Sequence, residues 1–153
     1  MLPDTPTTKR RSLRVAAAGL SDLAGIRHFV EAAATDLGAD GPTTRDLVIA
    51  TNEAVANIIR HGYRGAPGPI EVLVEREADS IVVRLRDQTP VFDPTSYPPP
   101  DLTVPLEKRR AGGLGVHLTR TCVDRVSHLP LRRSGNELTL VKKLGIGERG
   151  AAE

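Results

Sequence analysis

Tryptophan is absent from this 153-residue sequence, and two phenylalanines and two tyrosines are its whole aromatic content. Any core must therefore be assembled from Leu, Val, Ile and Ala. A single cysteine, Cys122, excludes an internal disulfide and a cysteine metal cluster, which suits a reducing compartment. No apolar run approaches the ~20 residues that a membrane helix needs. Lys9, Arg10 and Arg11 do not begin a signal peptide, because Arg14 interrupts the apolar stretch after two residues. Charge is nearly balanced, 21 Lys+Arg against 19 Asp+Glu, for a net +2. Bulk attraction to nucleic acid is thereby excluded as a leading idea. No membrane association is expected, and a cytoplasmic location is.

What is present reads as one domain of ordinary size. Residues 1–12 form a Pro- and Thr-rich basic tail, 13–144 the folded unit, and 145–153 a polar tail. Leu13 to Ala17 reads as a strand. Ser21 reads as an N-cap, followed by Leu23, Ile26, Val30 and Ala33 at helical spacing as far as Gly38. A second helix is expected after Thr43 or Thr44, with Leu47, Ala50, Ala54 and Ile58 on its apolar stripe and His61-Gly62 at its end. Alternation then predicts strands at Ile70–Glu75 and Ile81–Arg86, joined at Glu77-Ala78-Asp79-Ser80. Half of the twelve prolines fall between Pro90 and Pro105, which forbids helix or central strand there. A helical pattern opens at Gly112-Gly113-Leu114-Gly115. Val126–Leu131 and Glu137–Leu144 close the chain as a hairpin around Ser134-Gly135-Asn136. The order β-α-α-β-β-loop-α-β-β predicts an α+β two-layer sandwich, helices on one face of a mostly antiparallel mixed sheet.

Three constellations carry chemistry. Glu53 and Asn57 are four residues apart on the second helix, so they share a face one turn apart, and His61 extends it. A carboxylate and a carboxamide so placed supply a base and a neutral oxygen ligand for a hard cation. They also make an ordinary solvated polar pair. Asp87 ends a strand ahead of Gln88-Thr89-Pro90-Val91-Phe92-Asp93-Pro94, where a carboxylate can accept from an exocyclic amine or cap a turn. The glycines at 112–115 open a helix whose free N–H groups can meet an anion. Arg109 and Arg110 precede them, either facing phosphate or solvated. His28 and His128 read as surface or internally satisfied histidines, and Cys122 as a core residue.

Taken together, Asn52-Glu53 through Asn57 to His61-Gly62-Tyr63, then Asp87 to Pro94, then Gly112 to Leu118, resemble the ATP-binding (Bergerat) domain of the GHKL superfamily. Within it the sequence is similar to the stand-alone anti-sigma-factor serine kinases of the RsbW type, over roughly residues 13–144. The resemblance implies ATP and Mg²⁺ as cofactors. Asn57 would hold the Mg²⁺, Glu53 would be the general base, and Asp87 would accept from the adenine amine. Gly113, Leu114 and Gly115 would line the phosphates with Arg109 and Arg110, under a lid from about Ser96 to Ala111. Thr139 matches a position where the family often places a Thr near the adenine, or is simply a β-branched strand residue. The family has Gly two residues after the adenine-reading Asp, whereas this chain has Thr89. Its bulk either fits with the hydroxyl toward nucleotide or weakens ATP binding. The implied partners are a sigma factor and an anti-anti-sigma protein of the STAS type, in a module where the kinase pairs as a homodimer. The alternative is a regulatory binding module, nucleotide-gated or nucleotide-independent, without phosphotransfer.

Overall fold

A computed structural model describes residues 9–90, 121–131 and 134–145. Their elements are β1 (Arg10–Ala18), α1 (Leu23–Asp36), α2 (Gly41–Asn57), β2 (Gly68–Glu77), β3 (Ser80–Asp87), β4 (Arg125–Pro130) and β5 (Asn136–Lys143). The strands form one sheet in the order β1-β2-β3-β5-β4. Every ladder among the described residues is antiparallel. The two helices pack against one face, giving the two-layer α+β sandwich expected from the element order.

Register decides which side chains meet the helices. Val72, Leu85 and Leu138 stand level across β2, β3 and β5, as do Val74, Val83 and Leu140. All six are buried in a core shared with Ile26, Val30 and Ala34 of α1 and Leu47, Ala50 and Ala54 of α2. Residues one step out of phase lie on the other face. There Glu75 is 4% exposed, held by Arg84 and, at 3.3 Å, by Arg10. Arg86 bridges Glu137 at 2.7 Å and Glu71 at 3.1 Å. A charge buried this way is tolerated because it is paired.

Element boundaries moved for local reasons. Strand β1 starts at Arg10, inside the stretch expected as a tail, because Arg10 and Arg11 find register partners in Glu75 and Val74. Ser21 is not the cap of α1. Extended Gly19 precedes a single tight turn, Leu20–Asp22, and the Asp22 carboxylate accepts from the Gly19 N–H at 2.8 Å. Helix α2 begins at Gly41 rather than after Thr43 or Thr44. Asp40 is its N-cap, accepting from the Thr43 N–H at 2.8 Å, and Pro42 occupies the first turn, where its missing donor costs nothing. No helix among the described residues is long and apolar enough to cross a membrane.

Candidate functional site

The site is built where α2 ends against the last residues of β3. Helix α2 runs to Asn57 and then widens into one turn, Ile58–Gly62, closed by the Tyr63 N–H donating to the Ile58 carbonyl at 2.8 Å. Such i→i+5 turns recur at functional sites, since the extra residue re-aims the side chains beyond it. Here it lays Gly62 against Thr89: a β-carbon built on Gly62 would sit 2.6 Å from the Thr89 methyl. Tyr63 crosses the same gap. Its hydroxyl donates to the Pro69 carbonyl and accepts the Gln88 N–H at 2.9 Å. Burial raises the Tyr63 pKa, the Gln88 N–H lowers it, and the negative Asp87 nearby raises it again. The phenol therefore stays protonated and able to donate.

Asp87 lies at the centre of this arrangement, 5% exposed at the end of β3. Its Oδ1 accepts from the Thr89 N–H at 2.9 Å, the Thr89 hydroxyl at 2.7 Å and Asn136 Nδ2 at 3.1 Å. None of the hydrogen bonds described for Asp87 goes to Oδ2. Among the described residues, Oδ2 thus keeps its capacity to accept a hydrogen bond.

On α2, Asn57 is 6% exposed and none of the side-chain hydrogen bonds among the described residues reaches it. Glu53, one turn earlier, is half-buried, whereas His61 is exposed. The polar stripe thus enters the protein at Glu53 and Asn57 and leaves it at His61. Arg27 of α1 donates to Asn52 at 2.8 Å beside Glu53, tying the two helices together at that level.

Thr89 is 2% exposed and belongs to the Asp87 network. Thr139 does not. It stands level with Arg84 and Ser127, out of phase with the inward Leu138 and Leu140, and so falls on the face opposite Asp87. The β5 residue level with Asp87 is Asn136, 3% exposed, a position the sequence pattern assigns to the hairpin turn. Counting back by two from Leu138 would have found it. His128, expected at the surface or internally satisfied, is satisfied: its Nε2 lies 2.7 Å from Asn136 Oδ1. Arg109, Arg110, Gly113, Leu114 and Gly115, and the proline-rich stretch from Val91, lie outside the described residues.

The packing of Thr89 on Gly62 yields a testable coupling. Gly62→Ala drives a methyl into Thr89 and is expected to cost about 1–3 kcal/mol, as overpacking does. In a Thr89→Gly background the same change should cost under ~0.5 kcal/mol. Urea unfolding of the four proteins of the cycle measures this, and equal costs in both backgrounds would refute the contact.

The histidine kinase-like ATPase domain family matches residues 16–142. Among curated relatives, the serine-protein kinase RsbW of Bacillus cereus (strain G9842) is 29% identical over 103 residues, 65% of this chain and 64% of the relative. The serine-protein kinase RsbW of Listeria monocytogenes is 35% identical over 86 residues, 53% of this chain and 55% of the relative. The chain thus spans just under two thirds of the first of these relatives and about half of the second. With the family matching nearly the whole folded unit, and with the two-layer sandwich that carries it, the chain belongs to the histidine kinase-like ATPase domain family.

Proposed function

We propose that the unit at 13–144 binds Mg-ATP between α2 and the end of β3. It acts there as a serine/threonine protein kinase, transferring a phosphoryl group to a STAS-type anti-anti-sigma protein and otherwise holding a sigma factor. The reading takes the protein as a cytoplasmic homodimer. The single observation that carries it is Asp87, a buried carboxylate with three donors on one oxygen and none described on the other.

ATP supplies the transferable phosphoryl group. The chain's own residues position and neutralise, as phosphoryl transfer requires. Asp87 Oδ2 fits an exocyclic amine, and Asn57, buried and without a described partner, fits a cation held jointly with phosphate oxygens. Mg²⁺ is commonly bound through few protein ligands plus phosphates. Glu53, a turn away on the same helix, takes the proton of the attacking hydroxyl. Arg109, Arg110 and the backbone of Gly113, Leu114 and Gly115 complete the phosphate side in this reading.

A second reading, a contact-only regulator, draws on Thr89, whose methyl fills the space beside Gly62. One experiment separates the two. Thermal unfolding is followed by circular dichroism, with and without Mg-ATP, after stripping copurified nucleotide. At 100 times its dissociation constant a ligand stabilises by ~2.7 kcal/mol, a rise of roughly 5–11 °C at this size. That rise should vanish in Asp87→Asn and with EDTA. No shift at millimolar Mg-ATP would overturn the kinase reading in favour of the contact-only one.

A further inference from the structure

Along the helix-facing side of β3 and β5 the level pairs run Val83 with Leu140, then Leu85 with Leu138, then Asp87 with Asn136. The first two are apolar and buried. The third is polar and also buried, at 5% and 3% exposure. Burying an amide and a carboxylate at the end of an apolar stripe costs free energy unless every group is matched, so the matching shows what the pair is for.

Asn136 is held in one orientation. Its Nδ2 lies 2.9 Å from Thr89 Oγ1, 3.1 Å from Asp87 Oδ1, 3.2 Å from the Pro90 carbonyl and 3.4 Å from the Thr89 carbonyl. All four are acceptors for its two protons. The amide oxygen faces the other way, 2.7 Å from His128 Nε2. Reversing the amide would set its oxygen against the Asp87 carboxylate and two carbonyls. With the amide so oriented, His128 Nε2 is the donor of this hydrogen bond to Asn136 Oδ1.

Resting on the nucleotide reading above, we propose that Asn136 and His128 are positioning residues that set the base selectivity of the site. Asn136 joins Thr89 in saturating Asp87 Oδ1, which fixes the carboxylate plane and reserves Oδ2 for the ligand. His128 prevents the amide from turning over. Oδ2 then meets a 6-amino purine as an acceptor and repels a 6-oxo purine, whose oxygen would face a fixed anion. In this chain a Thr and an Asn, braced by a His, do this with side chains.

The test titrates Mg-ATP and Mg-inosine triphosphate, in which oxo replaces the 6-amino group and N1 carries a proton, into wild type and variants by calorimetry. Wild type should prefer ATP by at least ~10²-fold, since a site built to accept an amine rejects its absence strongly. Asn136→Leu should lower ATP affinity and the ATP preference by ~10-fold or more, the effect of a lost buried partner. His128→Phe should lower the preference by ~5-fold or more, and His128→Gln, which keeps an N–H donor, should restore it to within ~2-fold. A purely structural role would shift melting temperature without changing the ratio of the two affinities. If Asn136→Leu does not fold, the His128 pair on the partly exposed β4 decides. Wild-type preference retained in His128→Phe would overturn the inference and leave the nucleotide reading standing. No binding of ATP by wild type would overturn both.

Discussion

Gly135→Ala should destabilise the protein by about 3–5 kcal/mol, because strain and a backbone clash add at one residue. Gly135 has φ +104°, a region that residues with a β-carbon rarely adopt. A β-carbon there would also lie 2.1 Å from the Asp87 carbonyl oxygen and 3.2 Å from Gln88 Cα. Both are backbone atoms, so no side chain can swing aside. Relief requires the start of β5 to part from the end of β3, where Asn136 reaches Asp87. The expected loss corresponds to a fall in melting temperature of roughly 6–20 °C, with loss of any Mg-ATP stabilisation. Circular dichroism melts check it, and a change under ~0.5 kcal/mol would show that the turn is not packed on Asp87 as described.

On the kinase reading proposed above, Glu53→Gln should leave the fold and nucleotide binding intact while cutting phosphoryl transfer by ~10²–10⁴-fold, the usual contribution of a positioned general base. Glu and Gln have nearly equal helix propensity, and the side chain is half-buried within α2, so stability should barely change. The contrast with Asp87→Asn is the informative part. That variant should lose binding, whereas Glu53→Gln should keep it and lose the proton transfer. The measurement is single-turnover transfer from labelled ATP to a STAS-type protein, the acceptor proposed above, beside a Mg-ATP binding isotherm for the same protein. Transfer within tenfold of wild type would remove Glu53 from the role of base. Equal loss of binding would place it in the nucleotide site instead.

The elements of the sandwich were legible because each rests on a local period. Leu23, Ile26, Val30 and Ala33 repeat at helical spacing, and Ile70, Val72 and Val74 alternate, whatever surrounds them. Glu53 and Asn57 were legible for the same reason, being one turn apart on one helix. Asp87 was legible as a carboxylate ending an apolar strand.

What the chain's order could not convey is who stands opposite whom. Thr139 and Asn136 are both polar residues of β5, and a difference of three positions puts them on opposite faces. That assignment depends on the register of β5 against β3, set some fifty residues apart in the chain. The same holds for Thr89 against Gly62, for His128 behind Asn136, and for Glu75, whose burial needs Arg10 and Arg84 from two other strands. By itself the sequence determined the order and kind of the elements among the described residues, and the residues able to do chemistry, because those depend on short-range spacing. Only the tertiary structure decided which of them share a site, because ladder register and close packing join positions that are distant along the chain.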